Sequence, residues 1–237
     1  MISKLLLSAT IAASVFPAFA LAGDTGFFAG LDVTGGVASG SSHTTNGGAA
    51  IAGGGVVDNV KFGDALGVGG HVGYKFNPAL SVFISYQHVQ GDVSWDANFP
   101  LFGVASNFDG TAISNAVLGN IAYDWALSDA TSIIATAGIG LSFNSLSGIV
   151  ESDQATGLFL SDVADHTQVN PMVQLGAGID HKISANIVLV LSVSVSYTGE
   201  FETGDTRSGN LGITSIAPYK IDDVWRANLG ISMRFTF

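Results

Sequence analysis

The chain contains no cysteine. That excludes structural disulfides, zinc sites built on thiolates and a thiol nucleophile. Charge is scarce too: Asp, Glu, Lys and Arg make up 11% of the 237 residues, against roughly 25% in an ordinary soluble domain. Basic residues are the scarcest, 8 against 19 acidic, for a net charge of −11. Phosphate backbones need a basic face, so nucleic acid is excluded as a partner. Beyond the N-terminus no uninterrupted apolar run reaches the ~20 residues of a transmembrane helix. Yet 47% of the residues are hydrophobic and 31 are glycine. High apolarity distributed by alternation, with glycine inside the strands, suits a small membrane barrel with tight curvature.

Residues 1–22, MISKLLLSATIAASVFPAFALA, have the pattern of an export signal. Lys4 supplies a positive start and an apolar core follows from Leu5 to about Phe16. Ala20-Leu21-Ala22 has the small-x-small form of a signal-peptidase site, with Ala18-Phe19-Ala20 as an alternative. The expected organisation is a cleaved signal peptide over 1–22, exported through the Sec pathway, and one barrel domain over 23–237.

The mature chain alternates with period two in eight segments. Outward apolar rows run through Phe27, Leu31, Val33 and Val37; Leu66, Val68, Val72 and Tyr74; Leu80, Val82, Ile84 and Tyr86. They continue through Ile113, Val117, Ile121 and Trp125; Ile133, Ile139, Leu141 and Phe143; Val169, Val173, Leu175 and Ile179. The last two run through Ile187, Leu191, Val193 and Tyr197, and through Trp225, Leu229, Ile231 and Phe237. The opposite face is mostly Gly, Ser, Thr and Asn. Tight turns at 77–79, 126–130 and 182–185 alternate with long connections at about 39–64, 91–110, 146–167 and 199–222. An antiparallel meander puts the long connections at one end and the tight turns at the other, which is the asymmetry of an outer-membrane barrel. A soluble barrel would turn charge outward, whereas here the second face is small and uncharged, fit only to fill a narrow lumen. The expected fold is all-β: an eight-stranded antiparallel up-and-down transmembrane barrel with short periplasmic turns and four long extracellular loops.

Gly73-Tyr74-Lys75-Phe76-Asn77-Pro78, running into Leu80-Ser81-Val82 and Ser85-Tyr86, resembles a hairpin of the outer-membrane-protein β-barrel domain family, which includes opacity-like porins and small surface antigens of proteobacteria. Ala137-Gly138-Ile139-Gly140 and Leu175-Gly176-Ala177-Gly178-Ile179 resemble its repeated strands, and Arg234-Phe235-Thr236-Phe237 its closing strand. The resemblance implies an eight-stranded barrel with variable loops. It also implies that Phe237 is read by the barrel-assembly machinery, after escort by periplasmic chaperones. Outer-membrane lipids and lipopolysaccharide are the expected surroundings.

The inward parity places Lys75, Asp124, Asp180 and Arg234 on the lumen face near the periplasmic ends of four strands. Two acids and two bases in a low-dielectric bore are expected to pair. Such a cluster either plugs the mouth statically or gates it. Asp32, His71 and Arg226 are further inward candidates. His43, His88 and His166 fall in or near outer loops without a metal-ligand spacing. Ser161, Asp162, Asp165 and His166 supply the residue types of acyl transfer within one loop, but no ordered motif joins them. The expectation is no enzyme, no cofactor and no metal. A structural or surface-interaction role ranks first, a narrow diffusion channel second, and a lipid A-modifying enzyme remotely third.

Overall fold

The computed structural model describes residues 25–42, 56–99, 103–210 and 212–237. The signal segment with Ala20 and Ala22, and His43, lie outside the described residues. The strands are β1 (Gly26–Ser42), β2 (Val56–Lys75), β3 (Leu80–Phe99), β4 (Val104–Ala126), β5 (Thr131–Asp153), β6 (Phe159–Val163), β7 (His166–Ser184), β8 (Ile187–Glu202), β9 (Thr206–Gly209), β10 (Gly212–Ser215) and β11 (Lys220–Thr236).

Eight of them close the barrel. Each neighbouring pair is antiparallel, in the order β1-β2-β3-β4-β5-β7-β8-β11. Closure comes from β11 returning to β1, in register from Phe28↔Thr236 to Ser42↔Ile221 with one shift near Ser41. Closure satisfies every wall strand on both edges, which the interior of a bilayer demands of any sheet.

The three periplasmic turns are tight because side chains nucleate them. Asn77 Oδ1 accepts from the Ala79 and Leu80 amides, both at 2.9 Å. Ser128 Oγ accepts from the Ala130 and Thr131 amides at 3.3 and 3.1 Å. The third turn is at residues 185–186.

The barrel strands run 16 to 23 residues, about twice the ~9–11 that cross a bilayer. With the turns fixed at one end, the surplus projects from the other. The expected loops at 91–110, 146–167 and 199–222 are therefore largely strand. The β3–β4 ladder continues to Phe99↔Val104, and β2 starts at Val56 inside the stretch expected as the first long loop. Beyond Leu146, β5 leaves β7 and pairs with β6, and a side sheet grows through β9 to β10. His88, expected in or near a loop, lies within β3, with Nδ1 2.9 Å from Asn115 Oδ1.

The outward face is apolar around the whole wall. Leu66, Ile84, Ile139, Leu175, Val193 and Leu229 are all exposed. Two girdles flank this belt. At the periplasmic rim Phe27 packs on Tyr74, Tyr74 on Phe76, and Tyr123 on Trp125. At the outer rim Tyr197 packs on Trp225. Indole and phenol rings favour such depths because one end of the ring is apolar and the other wet.

Candidate functional site: the barrel lumen

Three layers fill the bore. The lowest is the periplasmic mouth, a cavity of about 620 Å³ lined by Lys75, Asp124, Asp180 and Arg234. The structure places the four residues in two pairs. Lys75 Nζ donates to Asp124 Oδ2 at 2.6 Å, and the Arg234 guanidinium donates to Asp180 Oδ2. Both aspartates are buried, each with its second carboxylate oxygen lacking a partner among the described residues. The Arg234 guanidinium also lies over the Phe28 ring, 5.4 Å from its centroid. Phe28 is an inward aromatic that sequence parity did not single out. It and Arg234 line both the mouth and the layer above, so they form the collar between the two.

The middle layer is a polar chamber of about 130 Å³. Asp32 Oδ2 lies 3.0 Å from His71 Nδ1, and the His71 ring packs against Phe28 and Phe83. Asn120 Nδ2 donates to Ser85 Oγ at 2.9 Å. Gln87 Nε2 donates to Gln174 Oε1 at 3.1 Å. That last bond joins β3 to β7, strands that are not neighbours in the wall. The bore is thus narrow enough for side chains to meet across it, as eight strands dictate.

The upper layer differs from the sequence expectation. The lumen was expected to be filled mainly by small polar residues, and in its outer part it is not. Trp95, Phe108, Leu146, Ile149, Phe201, Tyr219, Ile221 and Val224 form one buried apolar cluster. Trp95 stacks flat on Phe108 with centroids 5.3 Å apart, and Phe108 meets Tyr219 at 4.8 Å. These side chains come from β3, β4, β5, β8, β11 and the segment before β11, so they converge from all round the wall. Burial, reinforced by the nearby Glu151 charge, pushes the Tyr219 phenol well above its ordinary pKa. Arg226 is buried close beneath this cluster, and its Nε has no hydrogen-bond partner among the described residues.

Where β8 runs past the end of its ladder with β7 at Tyr197, side chains replace the missing backbone bonds. Ser142 and Asn144 donate to the Thr198 carbonyl, each at 2.7 Å, and Asn144 and Asn170 donate to the Glu200 carbonyl, each at 3.0 Å. Such buried carbonyls need partners, and amides at these inward positions supply them.

Outside the bore, Glu151 is 2% exposed. It accepts from Ser161 Oγ at 2.5 Å and from Arg207 at 3.1 Å, and the Arg207 Nε donates to Thr214. One carboxylate on β5 therefore fastens β6, β9 and β10. Sequence reasoning missed it, since Glu151 stood in an expected loop. Of the loop residues weighed for acyl transfer, Ser161 donates to Glu151, and Asp165 Oδ1 accepts from the Gly148 amide at 3.0 Å. At the β5–β6 turn, the Thr156 hydroxyl and amide bond Asp153 and hold its carboxyl below the usual range. Among the described residues, no group of three or more His, Asp or Glu is arranged to hold a metal ion.

No family model and no curated protein matches the chain. Solved structures do. The outer-membrane protein OprG from Pseudomonas aeruginosa is similar over 92% of this chain and 100% of its own, with a TM-score of 0.52 and 14% identity. Neisserial surface protein A is similar over 89% of this chain and 97% of its own, with a TM-score of 0.49 and 16% identity. At such identities the likeness to OprG is one of fold alone, and it agrees with the eight-stranded barrel expected from the sequence. Closed ladder, apolar belt, paired girdles and structural likeness lead to one conclusion: the chain has the fold of a small eight-stranded outer-membrane β-barrel.

Proposed function

We propose that this barrel serves the Gram-negative cell envelope as a closed structural and surface-presenting protein of the opacity-like kind, without catalysis. The observation that carries this reading is the apolar cluster across the outer bore, from Trp95 on one wall to Phe201 and Tyr219 on the others. Water and small solutes wet polar walls and avoid such a plug. The same surplus strand length that builds the plug carries the β6-β9-β10 side sheet away from the belt, which gives a surface for contact outside the cell. Its partners in this reading are outer-membrane lipids and lipopolysaccharide, with periplasmic chaperones and the barrel-assembly machinery acting earlier, the latter through Phe237.

Deletion in the native host tests the role. Increased detergent sensitivity and more shed vesicles, both reversed by the intact gene, are the expected result. Unchanged envelopes with slowed growth on a limiting small solute would instead support a diffusion channel. One observation favours that second reading: between the polar chamber and the plug, the buried Arg226 guanidinium has an Nε with no hydrogen-bond partner among the described residues, and a buried donor left without a partner is costly. Displacing the plug would hydrate it.

A further inference from the structure

Arg226 lies inside the bore, 6% exposed, at the height of the outer girdle to which its neighbour Trp225 belongs. Among the described residues it forms no hydrogen bond and no ion pair. Its register partners supply no acceptor. Ala38 on β1 has no polar side chain, and Ser196 Oγ on β8 is itself buried and without a partner among the described residues. The segments 43–55, 100–102 and 211, outside the described residues, contain no Asp or Glu. No side-chain carboxylate from Gly26 to Phe237 therefore pairs with this guanidinium. A buried cation with neither a counter-ion nor a bonded acceptor is costly, and supplying one removes the cost.

The space for one is present. The guanidinium lines a cavity of about 10 Å³ beneath the plug, close to the ~10–15 Å³ that one water-sized sphere occupies. Phe201 and Val224 of the plug close it above. Ala65, Gly91 and Ala112 leave it open at the wall, and they are register neighbours across β2, β3 and β4. One short row of minimal side chains thus shares the cavity with the arginine. Asp92 also borders it, but stands on the outward parity of β3 and is exposed.

We infer that this cavity holds one monoatomic anion, chloride under physiological conditions, bound to the Arg226 guanidinium. Water would satisfy the N–H donors but leave the charge unbalanced. Sulfate, phosphate and carboxylates are too large for a cavity that admits a single water-sized body. The ion neutralises Arg226 with the plug in place, so the site rests on the closed bore proposed above. It also removes the demand for hydration that would favour opening.

Urea unfolding of the mature barrel, refolded in phosphatidylcholine vesicles, reads the site. Sodium chloride replaces sodium gluconate at constant ionic strength, which holds screening fixed. In the wild type, chloride is expected to raise the midpoint and then saturate. The unfolding constant should fall about tenfold once chloride reaches ten times its dissociation constant. Bromide is expected to act alike. Arg226→Met is expected to unfold at one midpoint in all three salts. Ala112→Leu fills the cavity, keeps the arginine, and is expected to lose the chloride dependence too. Heat-modifiable gel migration shows that each variant has folded. Wild-type crystals grown in bromide give a readout that needs no variant: an anomalous peak within hydrogen-bond reach of the Arg226 guanidinium. Equal wild-type midpoints in chloride and gluconate, a chloride effect that survives Arg226→Met, or a cavity holding water alone in the bromide crystals overturns the inference. Steady conductance through the wild type would contradict the closed bore instead, so the two failures are distinct.

Discussion

Asp180 and Arg234 show how the mouth is stabilised at the scale of single residues. Both side chains are nine-tenths buried or more, and each would be an uncompensated charge without the other. Removing one partner of a buried pair typically costs about 3–5 kcal/mol, while replacing both with apolar groups is often neutral. Arg234→Met is therefore expected to lower the midpoint of urea unfolding clearly. Adding Asp180→Leu to Arg234→Met is expected to recover most of the loss. Equal midpoints for wild type and Arg234→Met would show that the pair contributes nothing. The identities of all four mouth residues were legible in the sequence, because strand parity alone assigns them to the lumen and their height follows from the tight turns. The pairing of Lys75 with Asp124 and of Arg234 with Asp180 was not, because register across two strands decides it. Phe28 was missed for a different reason: outward Phe27 drew attention, and its neighbour takes the opposite face.

Among the elements, the outer halves of the strands were the least legible. In β3 the inward row Val93, Trp95, Ala97 and Phe99 continues the alternation, but Gly91, Asp92, Asp96 and Asn98 gave the stretch a loop composition. In 199–222 no period is visible, because β8 and β11 are irregular there. The register slips between Ile221 and Trp225, and Asp223 has a φ of 52°. Phe201 and Tyr219 are placed by tertiary packing and not by alternation. The side sheet depends on Glu151 in a way that local propensity cannot signal. Glu151→Gln keeps the shape but removes the charge shared with Arg207. Limited proteolysis of the folded barrel is expected to cut within 154–215 at least tenfold faster in this variant, with the spanning strands intact. Cleavage at the wild-type rate would mean that packing alone holds the side sheet.

Taken whole, the molecule has a polar periplasmic half and an apolar outer half inside one continuous wall. Charged pairs and a chamber lined by polar side chains face the periplasm, and the aromatic cluster faces the outside. Closed topology, outward belt, girdles and orientation all follow from period-two alternation and from the asymmetry of turn lengths, which is why the fold was legible in one chain. The seal was not, since it is made of residues that read as loop until the strands are extended. Its consequence is simple to measure. The refolded barrel, inserted in planar phospholipid bilayers, should show no steady conductance, and Arg234→Ala should remain equally silent because the outer plug is intact. A stable open level in the wild type, recurring with each insertion, would contradict a sealed bore and with it the structural role proposed here.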